Sequence, residues 1–154
     1  ERDLYEIIIS GIMLTVFGSV AFDTIGTPTK VLKNVLGGAA TFASISASFF
    51  VKPGLIAVIG KDFPKEYHKI LSKRLDLKGL SIKDGKTFRY SGVYDKTLSS
   101  RRIFRTDLNV LKNFKPTVPD IYRKFFLNEE EEKKMVMNCL FNLSLIPTTG
   151  TSFT

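Results

Sequence analysis

An uninterrupted apolar run, "LIAVIG" at residues 55–60, stands between two stretches of helical periodicity. A strand with no polar face is buried on both sides, which is the signature of a parallel sheet covered by helices. Before it, residues 37–50 place Phe42, Ile45, Phe49 and Phe50 at i, i+3, i+7, i+8, which predicts a helix with that face buried. Pro53-Gly54 ends that helix. After it, "KDFPKEYHKILSKRLDL" predicts a second helix, capped by Asp62 with Pro64 in its first turn. Tyr67, Ile70, Leu71 and Leu75 form its buried stripe, and His68 falls off that stripe, at the surface. A further strand is expected over residues 14–20. Strand–helix–strand–helix alternation argues for a parallel α/β sheet with right-handed crossovers.

The rhythm then changes. "KTFRYSGVY" and "SRRIFRTDL", separated by the polar "DKTLSS", read as an antiparallel hairpin over about residues 86–107. In its first strand Phe88, Tyr90 and Tyr94 share one face, and Thr87, Arg89, Ser91 and Val93 the other. A hairpin set on a parallel domain serves as a lid or a subunit contact. "DTIGTPTK", with Gly26 and Pro28, reads as a turn, and "KPTVPDIYRK" as a loop entering a short helix. Residues 125–154 hold a charge run and a Ser/Thr/Gly end without further strand–helix pattern, and residues 1–12 read as an extension before the first fold signals at Met13. The expected domain is therefore residues 13–124.

The net charge of +8 is spread over helix and loop positions rather than clustered with aromatics, so a solvated basic surface is the reading and nucleic-acid binding is not. Residues 7–22, "IIISGIMLTVFGSVAF", carry no charge but are too short and too rich in Gly and Ser for a spanning helix, so no membrane association is expected. A single cysteine, Cys139, fits a reducing, cytoplasmic compartment.

Chemistry-bearing residues are few. One His and one Cys leave too few groups for a metal site or a hydrolytic triad. "GLIAVIGKD" is not a P-loop, because five residues separate Gly54 from Gly60 and Asp62 stands where Ser or Thr is required. Two candidates remain. Gly37-Gly38 precede a helix, where backbone N–H groups can meet hydroxyls or anions; simple turn geometry is the other reading. Asp23 follows the carboxyl end of the first strand, the edge at which open α/β sheets bind ligands; a turn-forming Asp is the alternative.

Taken in order, "GSVAFDTIGTP", "LGGAATFASISASFF", "GLIAVIGKDFPKEY" and the "TFRYSG…RRIFRTDLN" hairpin resemble the N-terminal half of the ribokinase-like (PfkB) carbohydrate kinase family. The resemblance implies part of a doubly wound α/β sheet with a small antiparallel β lid. It implies a sugar or nucleoside substrate and, in the complete enzyme, ATP- and Mg2+-dependent phosphoryl transfer to a substrate hydroxyl. Asp23, Gly37 and Gly38 match the family's sugar-binding positions, and Phe88 and Tyr90 fall in its lid, through which some members form homodimers. Thr41 stands where many members have Asn, and Ala21 where ribose-type members have another; Thr41 keeps one hydroxyl for substrate. The family's Gly-Ala-Gly-Asp motif with its catalytic base does not occur in these 154 residues, nor does a recognisable site for ATP or Mg2+. The chain is therefore expected to be a truncated, inactive kinase portion that positions the acceptor. A non-catalytic ligand-binding or oligomerisation module on the same half-domain is the alternative expectation.

Overall fold

The computed structural model describes residues 14–123. The expected extension at 1–12 and tail at 125–154 lie outside them, as do Met13, Lys124 and Cys139. Three strands, β1 (Thr15–Phe17), β4 (Gly54–Gly60) and β5 (Leu80–Lys83), form a parallel sheet in the order β1-β4-β5. Helices α1 (Ala39–Ala47) and α2 (Lys65–Arg74) are the crossovers. The apolar run behaves as its composition requires. Alternate β4 side chains enter two cores, with Leu55, Ala57 and Ile59 packing with Val20, Phe22, Leu71 and Leu75. Ile56 and Val58 pack on the opposite face with Phe88, Leu111, Phe114, Val118 and Tyr122. That second face is covered by residues 108–122, a 3-10 turn (Asn109–Leu111) and the short helix α3 (Asp120–Arg123). No helix among the described residues is long and apolar enough to cross a membrane.

The sheet expected as a lid is larger than a hairpin. β6 (Phe88–Tyr94) and β7 (Arg101–Asp107) pair antiparallel as expected, but β2 (Ala21–Gly26) and β3 (Val31–Gly37) join them in the order β3-β2-β6-β7. Of residues 23–30, expected to be a turn, the first four finish β2 and only 27–30 form the reversal that leads into β3. The outer pairs are antiparallel and the central β2·β6 pair is parallel, so the lid is a mixed sheet. Phe88 lies in the core cluster and fastens the lid sheet to β4, instead of lining its surface.

Two local expectations are corrected. In α1, Ala40, Thr41 and Ser44 face inward, whereas Phe42, and Phe49 and Phe50 in the turn after the helix, are 60%, 70% and 87% exposed; only Ile45 of the expected stripe packs on the core. Small residues win the inner face because the helix sits close to backbone: a Cβ on Gly18 would lie 3.3 Å from that of Ala40. In α2, Leu71 and Leu75 are buried and Tyr67 is partly so, but Ile70 points outward. Asp62 does not cap this helix, whose first turn begins after Pro64.

Candidate functional site

The lid sheet separates two polar sets by strand alternation. Across one face, the register aligns Val35, Asp23, Tyr90 and Thr106 on β3, β2, β6 and β7. Across the other it aligns Leu36, Phe22 and Arg89.

On the first face, the Asp23 carboxylate lies against the α-carbon of Gly37. A Cβ built on Gly37 would fall 2.9 Å from Oδ1 and nearer still to the rest of the carboxylate. Gly37 is thus the one kind of residue that leaves room for Asp23 here. Burial pushes the Asp23 carboxyl above the ordinary carboxylate range, because desolvation disfavours the anion and no described residue supplies a compensating bond. Beside it, the Tyr90 hydroxyl and the Thr106 Oγ1 are buried without a hydrogen-bond partner among the described residues. Buried polar groups are nearly always paired, so these two unpaired hydroxyls beside the half-buried Asp23 make this face the candidate site. Desolvation also raises the Tyr90 phenol, partly offset by Arg101, whose guanidinium stands 5.7 Å from the ring centroid.

Gly38 has a different job. Its φ of 97° is in the region that favours glycine, and a Cβ there would strike the Ser19 carbonyl oxygen. The N-terminus of α1 is already occupied: the N–H groups of Ala39 and Ala40 donate to Ser19 Oγ (3.2 Å) and Ser19 O (3.0 Å). Thr41 is buried behind the glycines and donates its hydroxyl proton to the Gly37 carbonyl at 2.7 Å. It holds Gly37 in place from behind. Of the residues singled out in the sequence, Asp23, Gly37 and Tyr90 meet on one face, Gly38 and Thr41 support that face, and Phe88 belongs to the core.

The opposite face carries a network that local sequence did not show. Asp62, just past β4, accepts from the backbone N–H and the hydroxyl of Thr87, both at 2.7 Å. Its second oxygen accepts from Arg89 at 2.9 Å, and Arg89 also donates to Asn34 on β3 at 2.8 Å while lying over the Phe22 ring. The Thr87 hydroxyl in turn accepts from the Gly60 N–H at 3.0 Å. Burial pushes the Asp62 carboxyl up, but the bonds from Thr87 and Arg89 outweigh it and hold the group below its ordinary value. The network ties the carboxyl end of β4 to three lid strands. A cleft of about 330 Å³ opens beside it, between Asn34, Glu66, Tyr67 and Arg89.

Among the described residues no group of His, Cys, Asp or Glu is arranged to hold a metal ion.

No family model matches the chain. Over 82 residues, 53% of this chain and 30% of the relative, it is 40% identical to a cytidine kinase of Thermococcus kodakarensis. The fold is similar to that of a Methanocaldococcus jannaschii nucleoside kinase, an archaeal member of the ribokinase family, at a TM-score of 0.52 and 21% identity over 65% of this chain and 38% of that one. It is similar too to a Burkholderia thailandensis nucleoside kinase in complex with inosine, at 0.52 and 14% over 62% and 35%. The chain spans about a third of the length of these relatives. The described residues have part of the ribokinase-like fold, a parallel α/β sheet carrying a second, mixed β sheet.

Proposed function

We propose that this segment is the acceptor-binding and lid portion of a sugar or nucleoside kinase. The carrying observation is the unpartnered, half-buried Asp23 carboxylate lying over the bare backbone of Gly37. A carboxylate is an acceptor only, with two oxygens that suit two neighbouring hydroxyl donors such as those of a furanose ring. Ligand hydroxyls would restore the solvation that burial removes, so binding draws the carboxyl back toward its anionic form. The absence of a side chain at Gly37 lets the ring lie close to the strand.

In this reading the segment orients the acceptor hydroxyl, and orientation alone supplies a large share of such a reaction's barrier reduction. ATP and Mg2+ belong to the complete enzyme. The described residues do not fit either group, since they offer no arranged metal ligands and the Gly54–Gly60 segment is a buried strand in place of a phosphate-cradling loop. The general base is likewise assigned to the part of the kinase domain that this segment does not represent, so the chain alone is expected to turn over no ATP.

Calorimetric titration with cytidine, inosine and ribose tests the assignment. Saturable binding of at least one, lost in Asp23→Ala and lost with a 2′,3′-dideoxynucleoside, is expected. Equal binding by the Asp23→Ala protein, or none by any of the three to the folded wild-type chain, would overturn it.

A further inference from the structure

The β6–β7 hairpin is joined to the rest of the fold by two short connections, and a cleft opens between them. Residues 84–87 lead from β5 into β6, and residues 108–114 return from β7 to the core. The connections hold each other: the Val110 N–H donates to the Lys86 carbonyl at 3.2 Å, and Asn109 Nδ2 donates to the Thr87 carbonyl at 3.0 Å. Each carries one residue in the left-handed region, Gly85 with a φ of 119° and Asn109 with 49°. A Cβ on Gly85 would stand 3.2 Å from a methyl group of Val110, so the bare glycine sets how closely the two connections approach. Thr87, which bonds both Gly60 and Asp62, is the last residue of the first connection.

The cleft holds about 490 Å³ and lies past the carboxyl end of β5, the side of a parallel sheet on which ligands collect. Its charges are mostly positive and uncommitted. Lys83 and Lys86 form no ion pair among the described residues, whereas Asp84, the one acid on the wall, is paired with Lys61. The Gly85 N–H and the Asn113 side-chain amide donate no hydrogen bond among the described residues either. Two ammonium groups, a bare backbone N–H and an amide make a donor set for a phosphate dianion. With Asp84 already neutralised, no free carboxylate lines the cleft to repel that dianion or to share a metal-chelated polyphosphate. A bare phosphate would leave most of the volume empty, and Val110 gives an organic body an apolar wall. We propose that the cleft binds a small phosphate monoester, which clamps the two connections at the base of the hairpin. Lys83 and Lys86 meet the ligand from one side and Asn113 from the other, so one molecule bridges both. The site shares no residue with the Asp23 face and stands whether or not that face binds an acceptor.

The full 154-residue chain and its Asp23→Ala variant are titrated calorimetrically with ribose 5-phosphate, inorganic phosphate and ribose. Ribose 5-phosphate should bind one-to-one and equally well to both proteins, and inorganic phosphate should compete with it at least tenfold more weakly. Lys83→Gln/Lys86→Gln should weaken ribose 5-phosphate binding about thirtyfold, the scale of losing charged hydrogen bonds at an open site. Its circular dichroism and its titration with ribose should stay as in the wild type, since both side chains are exposed. Bound ester should slow amide exchange at Val110, whose N–H ties the connections together, and leave α2 unchanged. Binding lost in Asp23→Ala, or displaced by ribose, would put the ester on the acceptor face and overturn the assignment. No saturable binding to the folded wild-type chain, or unchanged binding by the double variant, would overturn it equally. Inorganic phosphate binding as tightly as the ester would remove the organic body from it, and an unaltered Val110 amide would remove the clamp.

Discussion

The Asp23 carboxylate and the α-carbon of Gly37 occupy adjoining positions on neighbouring strands, with no room for a methyl group between them. Replacing Gly37 by Ala forces the carboxylate to move. Overpacking of this kind costs about 1–3 kcal/mol. Gly37→Ala should therefore lower the urea midpoint and abolish ligand binding together. In an Asp23→Ala background most of the stability loss should vanish, because the group it collides with is gone. Additive effects in the double variant would mean that the two residues do not meet in this way.

Asp23 also gives the chain an unusual pH signature. Its folded-state carboxyl is raised by burial, so the folded protein holds that proton more tightly than the unfolded one. The associated stability is fully present below the unfolded value and is lost as pH rises through the folded one. Asp23→Asn removes this loss, and should be more stable than wild type at neutral pH while binding no acceptor. Denaturant melts across pH 3 to 8, referenced to the Asn variant, read the difference directly. A wild-type curve parallel to that of Asp23→Asn would refute the assignment.

Asp62 should behave in the opposite sense. Its bonds from Thr87 and Arg89 overcome desolvation and lower its carboxyl, so its contribution is present above the unfolded value and lost as pH falls through the depressed one. Asp62→Asn should remove that acid limb and cost about 1–3 kcal/mol at neutral pH, the range for losing hydrogen bonds to a charged group. Arg89→Met should cost less, since Asp62 keeps its Thr87 bonds and the methionine still covers Phe22. Because the network joins β4 to the lid, both variants should speed amide exchange in β2 and β6 ahead of β4. Uniform acceleration across both sheets would argue against a joint at this point.

The fold class was legible because "LIAVIG" has no polar face, and a strand of that kind leaves few places to sit. Asp23 was legible as a candidate through its expected place after the first strand and Gly37 through its place before a helix, though not as neighbours; Asp23 in fact lies within β2 and Gly37 ends β3. What hid the lid was β3, an edge strand whose first four residues are exposed, so "VLKNVLG" carries no alternation to find. Asp62 was misassigned because its partners lie 25 and 27 residues away, beyond any local capping rule. Helix α1 shows a subtler limit. Periodicity correctly picks out a face that wants covering, but not which neighbour covers it, and here the core took the small residues.

Thr87 offers the sharpest test of how lid and sheet are joined. Its side chain is fully buried, and its hydroxyl both accepts from the Gly60 N–H and donates to Asp62. Valine matches its shape but provides neither bond. Thr87→Val therefore leaves a buried N–H unpaired and should cost about 2–3 kcal/mol. Thr87→Ser keeps both bonds and loses one methyl group, so the cost should stay near 1 kcal/mol, roughly the worth of a buried methylene. The Gly60 amide reports the difference: its exchange should quicken in the Val variant well beyond the global loss of stability, and follow that loss in the Ser variant. Equal destabilisation by Ser and Val would show that packing of the methyl, not the hydroxyl relay, holds Thr87 between β4 and the lid.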